Sequence, residues 1–259
     1  LGQYEPAWHL VTKLRADHPQ MQRLLASETV LAAKLNKLAI AEKNLTLLEP
    51  GLIDELPEPD QALLKWVAAM RENFDQELAI REQESVADDL PRVRFTTSRG
   101  DVVIELFENQ APNTVANFIS LVEQDFYTQV YFHHVINGLV AEAGLFRPGG
   151  MVGVHYTIPD ERKQSASRRN FRGTLSMVNS GKPNSGSARF SILLIPAPHL
   201  DFDPEDPERP GQTVFGRVIS GMKNVDQLAR TLEYGGEEDK QLQPIEDAVP
   251  DQILSATVI

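Results

Sequence analysis

The sequence predicts a mainly β protein: an antiparallel sheet, closed or sandwich-like, that carries two helices and follows a helical region. Three observations support this. Residues 1–90 repeat their apolar positions at helical spacing, the period changes to two near residue 90, and only two later segments return to the helical period. The chain therefore divides into a helical region over 1–90, a hairpin or small bundle, and a β domain over 91–259.

The helical region opens with Trp8, Val11 and Leu14, spaced for one short helix. "MQRLLASETVLAAKLNKLAIAEKNLTLLEPG" is rich in Leu, Ala and Lys, and Pro50-Gly51 stops it. In "PDQALLKWVAAMRENFDQELAIREQ" Leu63, Val67, Met70, Phe74 and Leu78 fall on one helix face, with Asp60 as the expected N-cap. A stripe of that length needs cover. The β domain can supply it, or a second copy can, which would make the chain a homodimer through its N-terminal helices.

From residue 92 the pattern is that of strands. "RVRFTTSRGDVVIELF" reads as a hairpin turning at Ser98-Arg99-Gly100-Asp101. "APNTVANFISLVEQ" supplies a helix with Pro112 in its first turn and Val115, Phe118, Ile119 and Val122 as the buried stripe. "GTLSMV", "FSILLI", "TVFGRVI" and "QILSATVI" are further strands, and "NVDQLART" is the second helix.

Composition bounds the function. With 41% hydrophobic and 24% charged residues the chain has the balance of a soluble globular protein. A net charge of -12 argues against general binding to nucleic acid or anionic membranes, which are polyanions. No apolar run approaches bilayer length. With no cysteine there is no disulfide, thiolate nucleophile or Cys-based zinc site. That absence, with a start at leucine, tilts the expectation toward an exported bacterial protein and leaves the compartment open.

"YFHHVINGLVAEAG" alternates like a strand, with Phe132, His134 and Ile136 on one side and His133 and Val135 on the other. Together with "GDVVIELFENQAPNTVANFISLV", "GTLSMVNSGKPNSGSARFSILL" and "TVFGRVISGMKNVDQL", in that order, it resembles the cyclophilin family of peptidyl-prolyl isomerases over about residues 92–259. The resemblance implies a closed antiparallel β-barrel capped by two helices, proline-containing polypeptides as partners, and no cofactor or metal.

Rotation about an X–Pro bond faces a barrier near ~20 kcal/mol because the amide loses planarity. A catalyst must bind the twisted amide better than either planar form. The twisted prolyl nitrogen regains a lone pair, so a donor aimed at it stabilises the transition state. Family members use an arginine, and the matching position here is His134. The pocket positions usually held by Phe and Met are Leu139 and Val140, and the following glutamine is Glu142. Val178 stands before the retained Asn179, and Gln-Phe-Phe becomes Arg189-Phe190-Ser191. His199 replaces an aromatic lid residue before the retained Leu200, and Gln212 replaces a histidine.

His134 and Arg189 are thus the candidate donors, and Leu139, Val140, Glu142, Val178, Asn179, Ser191, His199, Leu200 and Gln212 the candidate substrate contacts. Against these stands a plainer reading: His134 as a strand histidine without a role, and Arg189 tied in an ion pair to Glu142. The function read here is a peptidyl-prolyl cis-trans isomerase with weak or lost turnover. The alternative is a proline-peptide-binding or scaffold protein that uses the groove or the helical region. "LDFDPEDPERPGQ" reads as a solvated acidic loop without the pattern of an EF-hand, and "ERKQSASRRNFR" as a wet basic face. "GKPNSG" is not a phosphate loop, and the histidines lack metal-ligand spacing.

Overall fold

A computed structural model of the chain describes residues 4–136, 138–163, 168–206, 211–234 and 242–259. The chain divides into two compact units, one ending at Gln83 and the other running from Glu84 to Ile259. The first carries α1 (Tyr4–Asp17), α2 (Gln22–Lys34), α3 (Leu38–Leu45), α4 (Glu58–Lys65) and α5 (Val67–Ala87), whose last turn belongs to the second unit. Helix α2 packs against α1, α3 and α4. Ala32, Ala33 and Ala41 are fully buried there, small enough to let the helices approach closely. The buried carboxylate of Glu28 accepts from Arg15 and from Asn44 Nδ2, so it is not left unpaired.

The stripe read from the sequence is only partly covered. Leu63, Val67 and Met70 are buried, but Leu78 is 47% exposed. The helix breaks at Trp66, so residues before and after it do not share one face. Asp60 is not the N-cap. Pro57 holds that position, and Asp60 pairs with Lys34 at 2.6 Å. No described helix is long and apolar enough to cross a membrane.

The second unit is mainly β. Its strands are β1 (Arg92–Thr97), β2 (Gly100–Leu106), β3 (Val130–Tyr131), β4 (His134–Ile136), β5 (Val140–Ala143), β6 (Phe146–Arg147), β7 (Gly150–Met151), β8 (Thr174–Met177), β9 (Phe190–Leu193), β10 (Thr213–Ser220), β11 (Leu232–Tyr234), β12 (Leu242–Pro244) and β13 (Gln252–Val258). Eleven of them form one sheet in the order β12-β11-β4-β5-β9-β8-β10-β2-β1-β13-β3. The β11–β4 pair is parallel and the other pairs are antiparallel. The sheet curls into a half-barrel, and β6 with β7 forms a separate hairpin.

The helix expected after the first hairpin is α6 (Pro112–Glu123), and it buries Val115, Phe118 and Val122 as its spacing requires. Its N-terminus is capped from a distance: Glu161, 1% exposed, accepts from Asn113 N, Thr114 N and Thr114 Oγ1 at 2.7–2.9 Å. The second expected helix is a single turn, α7 (Met222–Val225). The barrel interior is an aromatic cluster of Phe95, Phe118, Tyr127, Phe190 and Phe215.

Of the described residues of the basic run, Lys163 is exposed, Arg162, Arg169 and Arg172 are half-buried, and Arg168 is internal. Arg168 is 2% exposed, and its guanidinium lies 3.9 Å from the ring centre of Phe107. Arg168 pairs with Glu84, and Arg217 pairs with Glu84 at 3.1 Å and Glu105 at 2.6 Å. Arg172 pairs with Asp226 at 2.6 Å. Residues 164–167 of that run lie outside the described residues.

Candidate functional site

Neighbouring strands of the half-barrel set one row of side chains on its outer face. His134 on β4 is directly opposite Glu142 on β5, Glu142 is opposite Ser191 on β9, and Ser191 is opposite Ser176 on β8. Strand alternation puts the next row, Val135, Ala141, Ile192 and Leu175, inside the barrel, where each is at most 1% exposed. The sequence pairs chemistry with one face and packing with the other, as a period of two demands.

His134 Nδ1 lies 3.8 Å from Glu142 Oε2, with the two side chains 30% and 16% exposed. Burial pushes the Glu142 carboxyl above its ordinary range, while His134 and Arg189 pull it back down. Arg189 is half-buried just before β9, and its carbonyl accepts from Val178 N at 3.0 Å. The expected ion pair between Arg189 and Glu142 is not formed among the described residues. Register explains this: His134 is the direct cross-strand neighbour of Glu142, whereas Arg189 sits diagonally, two residues from Ser191. Gly144 lets β5 end close to that segment. Its φ is +98°, and a Cβ there would lie 2.3 Å from Ala188 O.

The two adjacent histidines part company. His133 turns its ring edge toward Phe146, with centroids 5.2 Å apart. Burial lowers its pKa to about 4, so the ring is neutral at pH 7. His134 faces Glu142.

Ser191 is 2% exposed, so the position where the resemblance places a pocket aromatic is closed to solvent. Its Oγ donates to Ser176 O at 3.4 Å, and Ser176 Oγ donates to Asn170 Oδ1 at 2.6 Å. Asn170 N and Nδ2 donate to Asp201 Oδ1 at 2.8 and 2.9 Å, and Asn170 O accepts from Ala197 N at 2.7 Å. Asn170 thereby ties the groove floor to the 3₁₀ turn Pro198–Leu200, which bears the exposed His199 and the half-buried Leu200. Sequence reasoning missed Asn170 and Ser176. The alternation of "GTLSMV" against "RFSILL" was the available signal for Ser176.

The remaining candidates fall into two groups, one at the β4–β5 turn and one following β8 and preceding β10. Leu139 and Val140 are half-buried at the β4–β5 turn, where Leu139 N donates to Ile136 O at 3.1 Å. Val178 is buried, and Asn179 Nδ2 donates to Gly211 O at 3.3 Å. Gly211 has φ +69°, and a Cβ there would lie 2.6 Å from the Phe202 backbone. Gln212 N donates to Leu200 O at 3.0 Å, and its buried Oε1 accepts from no described residue. A narrow cleft beside Asn179 is lined by Thr114, Ile158, Met177 and Thr213, and does not include the His134 row. In the acidic loop Asp201 is occupied by Asn170 and Asp203 accepts from Glu205 N. No group of three or more His, Asp or Glu among the described residues is placed to hold a metal ion.

Beyond this geometry, a model of the family "Cyclophilin type peptidyl-prolyl cis-trans isomerase/CLD" matches residues 92–258, more than half of the chain. The chain belongs to the cyclophilin family. The cyclophilin unit is 34% identical over 161 residues to peptidyl-prolyl cis-trans isomerase B of Escherichia coli K12, covering 62% of this chain and 97% of that relative. It is 40% identical over 140 residues to a peptidyl-prolyl cis-trans isomerase of Synechococcus elongatus, covering 51% of this chain and 88% of the relative. Among solved structures, a Cryptosporidium parvum cyclophilin-type isomerase overlays with a TM-score of 0.48 at 22% identity, covering 66% of this chain and 98% of the other. That isomerase has also been solved in the presence of the dipeptide Ala-Pro. The helical unit lies outside the family match.

Proposed function

We propose that the cyclophilin unit binds X–Pro segments of proteins in the groove on β4, β5 and β9 and isomerises them slowly. The observation behind the slowness is the His134–Glu142 pair. At the position where relatives present a permanent cation, this chain has an imidazole directed at a carboxylate. The ring faces Glu142 across 3.8 Å and lacks the fixed charge and forked donors of a guanidinium. The twisted amide then gains less from the groove than it would from an arginine donor.

Arg189 is the second candidate donor, because its guanidinium acts on Glu142 and is held by no ion pair among the described residues. A coupled isomerisation assay on an X–Pro peptide separates the two. If Arg189 donates, activity stays nearly constant from about pH 6 to 8, because arginine does not titrate there. Arg189→Ala then abolishes it while His134→Ala changes little. If His134 donates, the sensitivities of the two variants reverse.

The burial of Ser191 favours a second reading, in which the groove binds without turnover. There the wild type shows no rate above the uncatalysed one, and a proline peptide still shifts the amide resonances of Asn179 and Leu200. No shift at either residue would remove both readings.

A further inference from the structure

Glu142 is a largely enclosed carboxylate whose acceptor capacity the described residues do not satisfy. Its side chain keeps 16% exposure, so most of its hydration shell is gone. No described residue donates a hydrogen bond to it. His134 stops at 3.8 Å, beyond hydrogen-bond reach, and the Ser191 hydroxyl is engaged by Ser176 O. Other enclosed carboxylates of the same unit are treated differently. Glu161 accepts from Asn113 and Thr114, Glu105 from Arg92 and Arg217, and Asp251 from Ser98, Arg99 and Ala229. Burial raises the pKa of Glu142, and the nearby His134 and Arg189 only partly offset it.

A largely enclosed carboxylate that no described residue hydrogen-bonds gains from an incoming cationic donor. The groove is where such a donor would arrive, because Glu142 lies between His134 and Ser191 on the outer face. The charged and titratable groups facing it are His134 and Arg189. Neither hydrogen-bonds it, so its lone pairs remain open to a ligand. The net charge of -12 adds long-range attraction for basic segments.

We infer that Glu142 sets the specificity of the groove, and that the preferred segments carry a lysine or arginine beside the proline. This rests on the groove being an X–Pro site. A guanidinium or ammonium on the flanking residue would donate to Glu142 while the proline ring lies along Leu139 and Val140.

The test uses the ¹⁵N-labelled full chain and the peptides acetyl-Ala-X-Pro-Ala-amide, with X as Lys, Leu or Glu. The Lys peptide should bind about five-fold more tightly than the Leu peptide or better, with the Glu peptide weakest. In Glu142→Gln the Lys-to-Leu ratio should fall below about two, and Glu142→Asp should restore part of it. Raising the salt to about 0.5 M should shrink the ratio in the wild type, a readout that needs no variant. Equal affinity for Lys and Leu peptides, a preference for Glu, or a Lys preference that survives in Glu142→Gln would overturn the inference alone. If none of the peptides shifts Asn179 or Leu200, the X–Pro reading falls and this inference with it.

Discussion

The two faces of β4, β5 and β9 are built to different rules. The inner face carries Val135, Ala141, Phe190 and Ile192, all at most 1% exposed, packed into an aromatic cluster with centroids 5.1–6.2 Å apart. The outer face carries His134, Glu142 and Ser191, a polar row whose charges are only loosely paired. An interior must fill volume without voids, so its residues can change little without loss of the fold. A groove residue is held by fewer contacts and can change its chemistry while the barrel stands. The fold and the proposed donor are therefore separable in this chain, whose cyclophilin sheet carries His134 where the resemblance expects an arginine.

The largest effect should come from the core that the inner face lines, where Phe190 of β9 meets Phe118 of α6. Phe118 is fully buried and packs against Phe95, Tyr127, Phe190 and Phe215. Phe118→Ala should cost about 3–5 kcal/mol in urea unfolding, whereas Ser191→Ala on the outer face should cost about 1 kcal/mol or less. Similar costs at both positions would erase the distinction between the faces.

Next in size is the buried ion cluster. Glu84→Ala removes a carboxylate shared by the two enclosed guanidiniums of Arg168 and Arg217 beside Phe107. The loss should be about 3 kcal/mol by chemical unfolding, because one member of an enclosed ion cluster is removed. A loss under about 0.5 kcal/mol would mean the cluster is a surface-like pairing.

His133 sharpens the comparison through pH. Its folded-state pKa of about 4 lies below the ordinary 6.5, so the fold prefers the neutral ring. The stability from that preference is complete above pH 6.5 and is lost as the pH falls from 6.5 toward 4. The loss should be on the order of 1–2 kcal/mol, reduced from the full linkage value because the ring is partly exposed. An NMR titration of the His133 ring should show a midpoint about 4, and a midpoint near 6.5 would place the ring in water.

The smallest effect should have the opposite sign. Glu142 is held above the ordinary carboxyl range, so its ionised form costs stability at neutral pH. That cost is relieved as the pH falls through the raised midpoint toward the ordinary value. Glu142→Gln should therefore stabilise the protein at pH 7 by on the order of 0.5–1 kcal/mol. Destabilisation by thermal melting would show Glu142 to be a structural residue, not a groove residue.

Much of the barrel was legible because short apolar runs bounded by turn residues leave a strong strand signal. "FSILLI" and "QILSATVI" became β9 and β13, and the Val115–Phe118–Val122 spacing became α6. Strands β3, β6 and β7, of two residues each, are too short to show a period. The burial of Arg168 was illegible because its partners Glu84 and Phe107 are remote in sequence and a basic run reads as solvated. At the groove the residue positions could be read from the resemblance, but the pairing could not. Only the register of β4 against β5 brings Glu142 to His134 instead of Arg189.

The rate of X–Pro isomerisation by the full chain beside His134→Arg bears most directly on the separation of fold from catalytic donor. The wild type should accelerate the reaction weakly, and the substitution should raise kcat/KM by on the order of tenfold or more as a permanent cation enters the groove. A wild type that His134→Arg leaves unchanged, or slows from an already high rate, would contradict the account.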